Sequence, residues 1–410
     1  MKKIKLTALE RSWILYDIGN SAFILLVSTL IPIYFNALAT TGGLNESLYL
    51  SYWGYAGSVS TLLVAVIGPI CGTLADHRGF KKPIFMVCML LGVLGCAAMG
   101  VTAGWLAFLV VFVLAKVGYS SSLVFYDAML PEVTTDERMD TVSSMGYAYG
   151  YIGSVIPFIL CLLLVLFGDK IGIGAGTAMA VSFLITAVWW FVCTQPLLKR
   201  YRQTAFVEHG GNPVSSTFRR LRDTFREVRQ QKHIFLYLLA FFFFIDGVYT
   251  IIDMATAYGT ALGLDTTGLL LALLVTQIVA FPSALVFGRL SGQYPSGTLI
   301  PVCIAAYAGI ALFAFFLKHQ WQFWVLAVVV GMFQGGIQAL SRSHFAKIIP
   351  PEKSGEYFGL FDICGKGASF LGTMIVSVGS QLTGSANVGV GSLIVLFVVG
   401  FVLFRVSDRK

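Results

Sequence analysis

The chain has 410 residues, of which 57% are hydrophobic and only 12% charged. Soluble domains carry about 25% charged residues, so this composition excludes an ordinary soluble protein and indicates one that lives in a bilayer. The formal net charge of +8 invites a nucleic-acid partner, but the placement of the basic residues gives it another meaning.

Crossing ~30 Å of hydrocarbon takes about 20 apolar residues per helix. Runs of that kind are predicted at 12–37, 50–75, 83–102, 105–128, 141–167, 173–194, 233–258, 266–288, 299–317, 321–343, 355–381 and 389–405. The strand-like alternation of a β-barrel is absent. The first run contains Asp17, Asn20 and Pro32, a poor core for a cleavable signal, so it is expected to stay as span 1. Basic residues gather before span 1 (Lys2, Lys3, Lys5, Arg11), after span 2 (Arg78, Lys81, Lys82), between spans 6 and 7, after span 10 (Arg342, Lys347, Lys353) and at the C-terminus. Loops on the other side hold only Lys170 and Lys318. This is the positive-inside pattern with both termini cytoplasmic, so the basic excess is a topology signal and no nucleic-acid partner is expected.

Residues 196–232 form the only long polar stretch. Within it Phe218, Leu221, Phe225 and Val228 recur at helical spacing among arginines, which predicts a basic amphipathic helix on the membrane surface. The stretch divides the chain into six-span halves, residues 1–195 and 233–410. The halves resemble each other faintly. Gly72-Thr73-Leu74-Ala75 closes span 2 where Gly288-Arg289-Leu290-Ser291 closes span 8, and Pro131-Glu132 answers Pro351-Glu352. Repeated halves are a transporter signature, with the site near the midplane between them.

Few charges fall inside the spans: Asp17 in span 1, Lys116 in span 4, Asp246 and Asp253 in span 7, Asp362 and Lys366 in span 11. A charge at mid-bilayer costs about 2.5–3.5 kcal/mol on insertion scales, so such residues are functional candidates by default. Tyr16, Asp17 and Asn20 share one face of span 1. Asp17 can bind a substrate ammonium or a proton, or can simply be solvated near a helix end. Asp246 and Asp253 are seven apart with Tyr249 between them, and like charges on one apolar helix favour a proton on one of them. Lys116 can grip a carboxylate or neutralise Asp17 or Asp246. Asp362 and Lys366 are an i, i+4 pair, equally suited to neutralising each other and to contacting solute. Gln334 and Gln338 share a face of span 10 and can hydrogen-bond a zwitterion. Asp127 and Arg342, at the ends of spans 4 and 10, are placed for a gating salt bridge.

The segment Gly72-Thr73-Leu74-Ala75-Asp76-His77-Arg78-Gly79-Phe80-Lys81-Lys82 resembles the loop motif of the major facilitator superfamily, Gly-x-Leu-Ala-Asp-Arg-x-Gly-Arg-Lys, between spans 2 and 3. Gly72, Asp76, Gly79, Lys81 and Lys82 fit. His77 and Phe80 replace basic residues, and Arg78 is the candidate substitute for one of them. The alternative is a short turn with topology charges. Four more blocks narrow the likeness: Trp13-Ile14-Leu15-Tyr16-Asp17-Ile18-Gly19-Asn20-Ser21-Ala22, Tyr126-Asp127-Ala128-Met129-Leu130-Pro131-Glu132, Gln334-Gly335-Gly336-Ile337-Gln338-Ala339-Leu340-Ser341-Arg342-Ser343 and Gly355-Glu356-Tyr357-Phe358-Gly359-Leu360. Together they resemble the autophagy-related vacuolar amino-acid effluxer family and its bacterial relatives, over nearly the whole chain.

That resemblance implies an all-α integral membrane protein with twelve transmembrane helices in two six-helix halves, the major facilitator fold. Spans 1, 4, 7 and 10 then line a central cavity, and spans 3, 6, 9 and 12 support it from outside. The sequence agrees, since the core charges lie in spans 1, 4, 7 and 11. The resemblance also implies a secondary transporter, working as a monomer in a bacterial inner membrane, with a neutral amino acid as first cargo. Gly72, Asp76, Arg78, Asp127 and Arg342 are its expected gating residues. Protons are the expected coupling ion, with sodium open. Neither a nucleotide-binding P-loop nor a metal-binding His-Glu-x-x-His run occurs, and the seven cysteines make no paired motif, so no enzyme, cofactor, metal site or disulfide framework is expected. The alternatives are an exporter of drug-like or lipid-like amphiphiles and a ligand sensor built on a transporter fold.

Overall fold

The computed structural model describes residues 5–44, 46–208 and 213–408. Among them the secondary structure is helical, apart from one isolated bridge between His77 and Val207. Ten helices are long and apolar enough to cross a bilayer, and a bent pair adds an eleventh. The 30-residue helix Ser354–Thr383 completes the expected twelve as span 11.

Span 1 begins with a capping box, in which Glu10 N–H donates to Thr7 Oγ1 (3.1 Å) and Thr7 N–H donates to Glu10 Oε2 (2.7 Å). It then breaks by 41° between Ala8–Ser28 and Leu30–Thr41. The break follows from Pro32, which lacks an N–H and whose ring crowds the carbonyl four residues back. Span 2 is Glu46–Ala75, span 3 Lys81–Ala98, span 4 Trp105–Ala128, span 5 Asp136–Phe167 and span 6 Ala175–Arg200. Spans 7 to 10 are Lys232–Ala261, Thr266–Leu290, Ser296–Ala314 and Gln320–Ile348, and span 12 is Ala386–Gly391 followed by Ile394–Ser407. Each predicted run falls on one of these helices. Prolines inside spans 2, 5, 6, 8 and 9 are tolerated because neighbouring helices re-satisfy the backbone groups they free.

Packing is dense within each half and selective between them. Span 1 packs on spans 5 and 6, and span 3 on span 4; span 7 packs on spans 11 and 12, and span 8 on span 10. Between the halves the long seams are span 2 against span 11 and span 8 against span 5, which correspond when the halves are exchanged. Spans 3, 6, 9 and 12 present exposed Leu91, Leu94, Leu184, Val188, Val302, Leu312, Val395 and Val402, a lipid-facing surface. Polar groups are turned inward, as hydrocarbon requires.

The linker helix Pro213–Gln230 forms as predicted but docks on the bundle. Thr224 and Val228 are buried, Thr224 Oγ1 donates to the Glu356 carboxylate, and Lys353 pairs with Glu227 at 2.6 Å. Of the expected apolar stripe, Val228 is covered and Phe225 exposed. The Phe218 and Leu221 side chains lie outside the described residues.

Candidate functional site

The halves are locked together on the face that carries the basic loops, and Arg342 of span 10 is the centre of that lock. Its Nη1 meets Asp127 Oδ1 of span 4 at 3.0 Å, and its Nη2 lies 3.5 Å from Asp17 Oδ2 of span 1. Nε donates to Ser143 Oγ (3.0 Å) and Nη2 to the Ser143 carbonyl (3.0 Å) on span 5. Three rings surround the guanidinium carbon: Tyr147 at 4.4 Å, Trp13 at 4.6 Å and Tyr126 at 5.5 Å to centroid. Such cation–π contacts strengthen when desolvated, and Arg342 is only 2% exposed. Gly146 makes room for the cluster, since a Cβ there would stand 2.5 Å from Asp17 Oδ2 and 3.2 Å from Arg342 Nη2.

Tyr16 and Asn20 hold this cluster rather than lining a path. Tyr16 is fully buried with its hydroxyl 2.6 Å from Ser122 Oγ. Asn20 Nδ2 donates within its own helix to the Tyr16 carbonyl (3.0 Å) and approaches Asp17 Oδ1 (3.5 Å). Tyr16, Asp17 and Asn20 are all buried, and the Tyr16 ring packs 4.6 Å from that of Tyr126 in the wall of the cluster.

The loop motif forms a second part of the lock. Asp76 accepts from the backbone N–H groups of Gly355 (2.7 Å) and Glu356 (2.9 Å), at the start of span 11. There the exposed N–H groups and the helix dipole favour a carboxylate. Gly72 and Gly355 allow the crossing, since a Cβ on Gly72 would collide with the Gly355 carbonyl. Lys81, fully buried, bonds Glu132 (2.6 Å) and Ser354 Oγ (2.8 Å) and stands 3.9 Å from Asp76. Burial pushes the Asp76 carboxyl up to about 7, against the downward pull of Lys81 and the two amides. Arg78, expected among the gating residues, is exposed and lies over the Phe206 ring at 5.3 Å. Gly79 turns the chain there with φ +81°, which sends Arg78 outward and Lys81 inward. Lys81 is therefore the buried cation of the motif. At the corresponding seam Thr141 Oγ1 donates to the Gly288 carbonyl (2.9 Å) and Lys347 pairs with Asp140 (2.6 Å).

Away from this lock lie the other charged side chains of the spans. Asp253 in span 7 is exposed to solvent although it sits well inside its helix. The Lys116 ammonium of the opposite half interacts with its charge and stacks 5.9 Å from the Phe112 ring. Tyr249 and Asp362 are half-buried, and Tyr249 feels the charges of Asp362, Asp127 and Asp253. Gln338 Oε1 accepts from Tyr151 of span 5 (3.2 Å). Gln334 is buried with Oε1 unpartnered. The Lys366 side chain lies outside the described residues.

Asp246 leaves this set. Seven residues return to within about 20° of the same helical face, but span 11 covers that face at Asp246 and not at Asp253. Asp246 is fully buried and accepts from the Gly372 N–H (2.9 Å) and Thr250 Oγ1 (3.3 Å). Of the expected site residues, the structure thus brings Asp17, Asp127 and Arg342 to one cluster. It brings Gly72 and Asp76 to a second, and leaves Lys116, Tyr249, Asp253 and Asp362 in one chain of charge interactions. Trp13, Ser143, Tyr147 and Lys81 complete the clusters; Trp13 and Lys81 stood inside the quoted motifs, while Ser143 carried no signal.

Residues 45–410 match the family model described as "Vacuole effluxer Atg22 like". The "Uncharacterized MFS-type transporter YxiO" of Bacillus subtilis (strain 168) is 40% identical over 404 residues, 97% of this chain and 94% of that protein. "Autophagy-related protein 22" of Yarrowia lipolytica is 27% identical over 301 residues, 66% of this chain and 50% of that protein. Among solved structures the E. coli fucose:proton symporter FucP superposes with a TM-score of 0.75 at 14% identity, covering 98% of each chain. A bacterial homologue of the iron transporter ferroportin in an outward-facing state superposes at 0.70 with 15% identity, over 98% of this chain and 99% of that one. These likenesses show the major facilitator fold, and the matched length and the identity to the bacterial relative place this chain in the Atg22-like effluxer family of membrane transporters.

Proposed function

We propose that this protein is a secondary active transporter that carries a small zwitterionic solute, first a neutral amino acid, by alternating access. The observation that supports the cargo is the pairing of opposite charges from opposite halves. Lys116 of one half acts on the charge of Asp253 in the other, and in this reading the two receive a carboxylate and an ammonium. In this reading Tyr249, Asp362 and the span 10 amides Gln334 and Gln338 contact the solute on its way to the lock. The basic face is cytoplasmic by the positive-inside rule, so the locked arrangement opens to the outside. The protein works as a monomer in a bacterial inner membrane, both termini cytoplasmic, and the names of its relatives favour efflux.

Protons drive the cycle in this reading, with sodium as the competing ion. Flux of labelled neutral amino acids in proteoliposomes, with an imposed proton or sodium gradient, tests both cargo and coupling. Gradient-dependent flux that Asp253→Asn and Lys116→Gln abolish supports the reading. Flux of none of these solutes by folded protein sinks it.

A further inference from the structure

Arg342 is a lock residue whose departure leaves two carboxylates behind. It belongs to the second half, while Trp13, Asp17, Tyr126, Asp127, Ser143 and Tyr147 all belong to the first. For the basic face to open, the guanidinium must leave this pocket. Two carboxylates would then stand in a largely buried, aromatic-walled recess without their cation, which is strongly unfavourable.

We propose that the pocket is a binding station for an organic cation, the ammonium or guanidinium group of a cytoplasmic solute, which Arg342 occupies in the locked state. The chemistry of the walls supports this. Three rings within 5.5 Å of the guanidinium carbon favour a weakly hydrated organic cation over a hydrated metal ion. The fit to arginine is also incomplete: Asp17 is nine-tenths buried, yet its Oδ2 makes no hydrogen bond and only a 3.5 Å ion pair. A compact ammonium can donate to Asp17 and Asp127 together. Arg342, once withdrawn, stays on the facing wall, where it can meet a carboxylate of the same solute. Opening thus exchanges one cation for another in the recess, and an empty protein stays locked.

This inference rests on the alternating-access reading, but its test needs no flux. Methylguanidinium and methylammonium are titrated against purified Arg342→Ala and wild-type protein, with potassium chloride matching ionic strength and thermal unfolding as readout. The expected result is stabilisation of Arg342→Ala by both probes at millimolar concentration. Trp13→Leu or Asp17→Asn added to Arg342→Ala should raise the half-saturating concentration at least tenfold. Stabilisation no greater than that by potassium, or unchanged by the second substitution, overturns the proposal. Should Arg342→Ala fail to fold, hydrogen exchange on wild-type protein decides. Methylguanidinium is expected to raise exchange across residues 339–356, and no change overturns it. Absence of solute flux with binding intact would defeat the transport reading alone.

Discussion

Asp127 Oδ1 and Arg342 Nη1 lie 3.0 Å apart across the boundary between the two halves, and every other bond of that guanidinium also crosses it. All of these bonds must break before the basic face can open. Breaking a buried ion pair by removing one partner costs about 3–5 kcal/mol, enough to invert a two-state equilibrium.

Arg342→Gln should accordingly shift the protein toward a form open on its basic face. A cysteine introduced at Ser144, buried against Gly288 at the span 5–span 8 seam, should react with a membrane-impermeant maleimide at least tenfold faster in Arg342→Gln than in protein with Arg342 intact. Asp127→Asn should act the same way more weakly, because Asp127 is partly exposed and Asp17 remains.

Gly72→Ala should open the same face by steric means. Its Cβ has no place while the Gly355 carbonyl stays where it is, and both contacting groups are backbone. The closed form should lose about 1–3 kcal/mol, the usual cost of overpacking, and labelling at the span 2–span 11 seam should rise. Unchanged labelling would show that the seam yields without opening.

The Asp76 carboxyl makes closure depend on pH. In the closed form burial holds it up to about 7, while water on an open face returns it toward about 3.9. The closed form binds the proton more tightly, so it gains as pH falls from about 7 toward 4 and loses that gain as pH rises through 7. Accessibility of the seam should increase between pH 5 and 8, and Asp76→Asn should flatten the dependence.

Asp253 and Asp246 should separate in a paired experiment. Asp253 is exposed and bonds no backbone group among the described residues, so Asp253→Asn should abolish solute flux with thermal stability nearly unchanged. Asp246 holds a backbone N–H of span 11. Asp246→Ala should lower stability by about 1–3 kcal/mol, the cost of an unsatisfied buried donor, with Asp246→Asn recovering part of it through its carbonyl oxygen. The reverse pattern would exchange the roles assigned to the two residues.

The spans and the loop motif were legible because bilayer solvation imposes a long apolar run on each crossing, and each run carries its own evidence. The environments of residues on one span were not. Asp246 and Asp253 look alike along the sequence, yet span 11 covers the first and the second is exposed. Arg78 and Lys81 show the same limit at shorter range, where a positive φ at Gly79 decides which cation turns inward.

By itself, the order of residues determined a helical membrane bundle and the small set of charges that could matter. Apolar length, periodicity and charge placement are local properties, and they survive without knowledge of the partner helices. Only the tertiary structure decided that Arg342 binds Asp17 and Asp127, that Asp246 is sealed by Gly372, and that Lys116 acts on the charge of Asp253. Those outcomes depend on how spans from the two halves cross, because a charge in a membrane is stabilised by the particular groups brought beside it from distant parts of the chain.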